Sequence, residues 1–89
     1  MNILIIDDEK TILKTVYSQL MEMELGMERI DTADSAGEAK ECMKKYHYDI
    51  FLCDIVMPEM DGITFAKWVL EEHSDVKIIF LTAYADVKY

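Results

Sequence analysis

The sequence predicts an α/β fold built on a parallel sheet with helices on both faces. Three observations carry that expectation. Short apolar runs alternate with stretches of helical periodicity along the whole chain, the pattern of strand–helix–strand crossovers. The runs are continuous rather than alternating, as befits strands buried on both sides. Three of them also end in oxygen-bearing side chains: Asp7, Asp8 and Glu9 after residues 3–6, Asp54 after residues 50–53, and Thr82 after residues 78–81.

Residues 3–6 read as the first strand. From residue 10 to 25, Leu13, Val16, Tyr17, Leu20 and either Met21 or Met23 recur at helical spacing, and Gly26 is the stop signal. Residues 29–32 make a weaker strand, placed mainly by lying between two clear helices. Ser35-Ala36-Gly37-Glu38 is a capping-box pattern that opens a helix to about Lys45, with Ala36, Ala39 and Met43 as its core face. Residues 48–53 form the next strand. Pro58 cannot continue it, so residues 57–61 are a loop. Asp61 then caps a helix from about Gly62 to Glu72 that turns Ala66, Val69 and Leu70 to the sheet. Residues 77–81 supply the fourth strand, and residues 84–89 begin a further helix.

At 89 residues the chain is one domain, 1–89, near the lower end of what folds without staples. It is 52% hydrophobic and 30% charged, which fits a packed core and argues against disorder. Eighteen acidic residues against nine basic ones give a net charge of -9. Such a surface repels nucleic acid and anionic membranes and suits a cation or a basic partner. No run approaches membrane-spanning length, and the N-terminus lacks the features of a signal peptide. Cys42 and Cys53 have no metal-ligand spacing and read as reduced thiols of a cytoplasmic protein. The seven methionines read as filler of core and helix faces.

Asp54 is the residue that demands an explanation. A carboxylate at the end of a buried strand must be solvated in a cleft, paired, or bound to a cation. Ligands of open α/β sheets bind beyond the carboxyl ends of strands, where strand order reverses. The acids after the first and third strands lie at such a point if those strands are neighbours.

The acidic pair Asp7-Asp8, Asp54 with the following Met57-Pro58-Glu59-Met60-Asp61-Gly62, and Thr82-Ala83 stand in an order and spacing that resemble the receiver domain of two-component response regulators. The resemblance covers the whole chain. It implies a flavodoxin-like sheet of order 2-1-3-4 and a phosphoacceptor role for Asp54, with a histidine kinase as donor and partner. It further implies Mg²⁺ held by Asp8, Asp54 and the backbone carbonyl of Val56, with Asp7 binding directly or through water. Thr82 would contact a phosphoryl oxygen, and the small Ala83 would leave room for the group. Physical chemistry agrees: a carboxylate attacking a phosphoryl group is repelled by its oxygens, and a divalent cation offsets that repulsion. Each residue has a plainer reading beside this one. Asp7 and Asp8 could cap the first helix; Thr82 could be an ordinary strand-end threonine. Asp61, Gly62 and Pro58 read as cap and turn residues, and His47 and His73 as surface histidines.

The resemblance also implies what the chain lacks. The family's last strand and last helix have no counterpart, and with them goes a lysine that pairs with the phosphoryl group. Lys77 begins the fourth strand, at the wrong end, and Lys88 lies in the tail. The fourth strand is therefore expected at a sheet edge beside an uncovered face, a surface that invites self-association into a homo-oligomer. The alternative function is a receiver-fold interaction module that is not productively phosphorylated. A metal-dependent phosphatase would want an aspartate where Val56 stands. A turnover enzyme is not expected.

Overall fold

The computed structural model describes residues 1–57 and 60–81. Four strands, β1 (Asn2–Ile6), β2 (Arg29–Ala33), β3 (Ile50–Asp54) and β4 (Lys77–Leu81), pair in parallel in the order β2-β1-β3-β4. The helices α1 (Lys10–Glu22), α2 (Ala36–Lys45) and α3 (Gly62–Glu72) make the crossovers. Thr82, Ala83, Pro58 and the expected helical turn at 84–89 lie outside the described residues.

Strand alternation sorts the apolar residues onto two faces. Ile3 and Ile5 pack with Leu13 of α1, joined by the partly buried Val16, Leu20, Ile30, Leu52 and Leu81. Leu4, Ile6, Phe51 and Cys53 face the other way, onto Ala36 and Ala39 of α2 and Phe65 and Val69 of α3. Helices thus cover both faces, as expected. Ser35 caps α2 by accepting from the Glu38 amide at 3.1 Å. Glu38 Oε1 reaches back to the amide of Asp34, one residue before the cap, at 3.0 Å. Asp61 caps α3 through the Thr64 amide at 2.8 Å and the Thr64 hydroxyl at 3.2 Å.

Several expectations need correction. α1 ends at Glu22, well before Gly26, because the chain already turns through a left-handed Glu24 at φ 49°. Beyond that end Met23 is exposed, as are Met21 and, less fully, Tyr17. In α3 the buried stripe is Gly62, Phe65, Ala66 and Val69, a true i, i+3, i+4, i+7 face. Leu70 falls one step off that stripe and is exposed; Phe65 takes its place. Tyr48 precedes β3 rather than belonging to it, yet is buried.

β1 is flanked by β2 on one side and β3 on the other, so the chain leaves it in opposite directions. The carboxyl end of β1 is therefore a topological switch point, and the first and third strands are neighbours.

Candidate functional site

Register brings the acids together. Ile6 pairs with Cys53, so the next residues, Asp7 and Asp54, emerge side by side at the carboxyl edge. The Asp7 amide donates to Ala33 O at 3.1 Å, which extends the β1–β2 ladder by one step and fixes Asp7 in line with the strand. Asp54 is the last residue of β3, held on its other side by pairing with Leu81 of β4. Asp7 is 1% exposed and Asp54 8%, whereas Asp8 is exposed at the rim. One carboxylate oxygen from each of the three lies within 4.8 Å of the others.

That spacing suits a hard cation. Oxygens around an octahedral Mg²⁺ lie roughly 3 Å apart when adjacent and roughly 4.2 Å apart when opposed, so these three need little movement to converge on one ion. Without a cation they repel. Burial, opposed by the Glu9 amide and aided by the charges of Asp54 and Asp8, pushes the Asp7 carboxyl up to about 6. Burial also raises Asp54, against the Val56 amide and with the charge of Asp8. The relevant bonds are Glu9 N–H to Asp7 Oδ1 at 2.9 Å and Val56 N–H to Asp54 Oδ1 at 3.4 Å. Neither Asp7, Asp8 nor Asp54 has an ion-pair partner among the described residues. Two buried carboxylates kept in such company describe a site whose chemistry suits positive charge.

The capping alternative is only partly met. The N-cap of α1 is Glu9, without a side-chain capping bond. Asp7 ties down the Glu9 amide just ahead of the helix, so it anchors the entry to α1 while facing Asp54. The Val56 side chain is largely exposed, and its amide bonds to Asp54 as given above. Thr82 lies outside the described residues.

Other groupings were not legible in the sequence. Gly62 packs on the backbone of Asp54 itself: a Cβ there would overlap the Asp54 carbonyl oxygen, and the Gly62 amide donates to Ile55 O at 2.6 Å. At the β2 edge the buried Tyr48 hydroxyl donates to the Asp31 carboxylate. Arg29 pairs with Asp31 at 3.2 Å and lies 3.6 Å from the centre of the Tyr46 ring. His47 and His73, far apart in sequence, stand edge to face with ring centres 6.2 Å apart. His47 Nε2 is 3.7 Å from both Asp49 and Asp75, on an exposed surface. Both cysteines are free, and burial beside Asp54 and Asp7 pushes the Cys53 thiol up to about 12.

Comparison with known proteins fits this geometry. The response regulator receiver domain family matches residues 3–89. The chain is 43% identical over 54 residues to the response regulator receiver protein CpdR of Brucella abortus, covering 61% of this chain and 45% of that protein. It is 38% identical over 85 residues to the probable transcriptional regulator ycf27 of Porphyridium aerugineum, covering 96% and 34%. The solved structure of the response regulator TrrA of Thermotoga maritima in complex with Mg²⁺–BeF superimposes with a TM-score of 0.82 at 35% identity, covering 94% and 70%. The chain spans less than half the length of the curated relatives it matches, 40% in the oxygen regulatory protein NreC of Staphylococcus carnosus.

Proposed function

This chain belongs to the response regulator receiver domain family, and on that premise we propose that Asp54 accepts a phosphoryl group from the phosphohistidine of a histidine kinase. The observation that carries the reading is the convergence of Asp7, Asp8 and Asp54 within 4.8 Å at the switch point of the sheet. One Asp54 carboxylate oxygen forms the new P–O bond while the bond from phosphorus to the donor imidazole nitrogen breaks. The electron pair leaves with that nitrogen. Asp7, Asp8 and Asp54, with the Val56 carbonyl, would hold Mg²⁺, which supplies charge to offset the phosphoryl oxygens. Thr82 would donate to a phosphoryl oxygen. The buried position of Asp54, walled by β1, β4 and the start of α3, limits the approach to the open carboxyl edge.

The chain acts in this reading as an acceptor in a relay rather than as a turnover enzyme. A cytoplasmic setting follows from a kinase donor, and no helix among the described residues is long and apolar enough to cross a membrane. An interaction module that is never phosphorylated is the less favoured alternative, because it leaves two buried, mutually repelling carboxylates without a purpose. Incubation with Mg²⁺ and a small acyl phosphate, followed by mass spectrometry, separates the two. A base-labile phosphoryl gain that vanishes in Asp54→Ala supports the acceptor; no gain in the unaltered chain sinks it.

A second copy of this chain is the other proposed partner. Ile79 and Phe80 of β4 are 52% and 40% exposed, and β4 pairs only with β3 among the described residues.

A further inference from the structure

We propose that His47, Asp49, His73 and Asp75 form a second metal site, at the amino edge of the sheet, that takes Zn²⁺. The residues come as two His-x-Asp pairs, His47-Tyr48-Asp49 in the loop before β3 and His73-Ser74-Asp75 in the loop before β4. They include both histidines of the chain. Asp49 immediately precedes β3 and Asp54 ends it, so this set stands roughly 16 Å from the acidic trio along the strand.

Parallel pairing brings the two loops together. Ile50 pairs with Lys77, and the Lys77 amide donates to Asp49 O at 2.9 Å. Tyr48 and Val76 are buried and pin the loops to the core. Asn2 of β1 then fixes the first pair: its Nδ2 donates to His47 O at 2.7 Å and its amide to Asp49 Oδ2 at 2.8 Å. That leaves Asp49 Oδ1 at 3.7 Å from His47 Nε2, and Asp75 Oδ2 lies at 3.7 Å from the same nitrogen. His73, the C-cap of α3, stands edge to face with His47, the ring centres 6.2 Å apart.

These separations approach those around a tetrahedral ion. Nitrogen and oxygen donors on tetrahedral Zn²⁺ lie roughly 3.3 Å apart, and two imidazoles bound through nitrogen have ring centres roughly 5–6 Å apart. The side chains of His47 and Asp75 are exposed and free to turn inward by the remaining distance. An exposed His–Asp contact alone is an ordinary surface ion pair of little worth. The second histidine is what an ion pair does not explain. Two protonated imidazoles repel, whereas two neutral ones can share a metal. Two aspartates also match the charge of one divalent cation, and the Asn2 bonds to the first pair are the kind of outer support that orients metal ligands.

The donor set separates this site from the acidic trio. Oxygen alone suits Mg²⁺, while imidazole selects borderline ions such as Zn²⁺. Four protein ligands leave no open position, the mark of a structural rather than a catalytic zinc. The ion would clasp the end of α2 to the end of α3. None of this rests on the phosphoacceptor reading.

Titration of the untagged 89-residue chain with Zn²⁺, followed by NMR at the imidazole signals, tests the site, because no other histidine contributes. Both imidazoles should shift together and saturate at one equivalent, with a Kd below roughly 100 μM. His47→Ala and His73→Ala should each weaken binding at least tenfold, read at the remaining ring. Asp75→Asn should also weaken it; this change alters one exposed group, so misfolding does not explain the loss. Asp54→Asn should leave the imidazole titration unchanged. Zn²⁺ should raise the thermal midpoint of the unaltered chain and not that of His73→Ala. No imidazole shift at roughly 100 μM Zn²⁺ overturns the proposal. A shift of one ring alone overturns it too, since that describes a lone surface histidine. So does undiminished affinity in any of the three site variants, or an imidazole response that disappears in Asp54→Asn.

Discussion

Gly62 rests against the main chain of Asp54 so closely that even a methyl group would overlap the Asp54 carbonyl. The start of α3 and the end of β3 are thus set by direct backbone contact, tightened by the 2.6 Å bond from the Gly62 amide to Ile55 O. Because backbone on both sides has no rotamer to yield, Gly62→Ala must shift either the helix or Asp54. A loss of about 2–4 kcal/mol in urea unfolding is expected, together with weaker Mg²⁺ binding. A Gly62→Ala protein as stable as its parent would show that this contact is looser than described.

Asp7 places charge where it costs stability. It is buried, it repels Asp54 and Asp8, and it has no cation beside it among the described residues. Asp7→Asn keeps the shape and removes the charge, so the metal-free protein should gain about 1–2 kcal/mol. Mg²⁺ affinity should fall at least tenfold in the same variant. Stability and metal binding moving in opposite directions identify a site residue; both falling would make Asp7 a structural anchor for Glu9 alone.

The same carboxyl sets a pH dependence. Asp7 titrates near 6 in the folded protein and at an ordinary 3.8 when unfolded, and Asp54 is shifted in the same direction. Between those values the folded state holds a proton that the unfolded chain has lost. The metal-free protein should therefore gain stability as pH falls from about 7 toward about 4, and lose it as pH rises through 6. In the proposed site Mg²⁺ would bind the ionised carboxylates, so its stabilisation should fade as pH drops through about 6. Thermal melts in chelator and in excess Mg²⁺, taken across this range, should cross. Parallel curves would exclude the carboxylates as the metal's ligands.

Much of this arrangement could be read from the residues, and the failures share a cause. All four strands and both capped helix starts were legible because each depends on local pattern, whereas the meeting of Asp7 and Asp8 with Asp54 depends on β1 and β3 being neighbours and was implied by the resemblance to receiver domains. Leu70 was misplaced and Phe65 overlooked because both fit an apolar periodicity, and only the crossing of α3 over Phe51 decides which faces inward. Gly62 read as a turn residue, since nothing in sequence reveals that Asp54's carbonyl is its neighbour. His47 and His73 meet only because the loops after α2 and α3 end at the same edge of the sheet.

Tyr48 offers a control far from the acidic site. Its ring is buried against Phe51, and its hydroxyl is spent on Asp31, whose other partner is Arg29. Burial and the neighbouring Asp31 hold the phenol above its ordinary range, so it stays a neutral donor at physiological pH. Tyr48→Phe keeps the packing but strips one donor from a half-buried carboxylate. A loss of about 1–2 kcal/mol is expected, with Mg²⁺ affinity and phosphoryl uptake by Asp54 unchanged. This variant and Gly62→Ala then form a contrasting pair: both lose stability, but the site is damaged only where the backbone of Asp54 is displaced. If Tyr48→Phe also weakens Mg²⁺ binding, the site responds to global stability, and the Gly62 effect loses its local meaning.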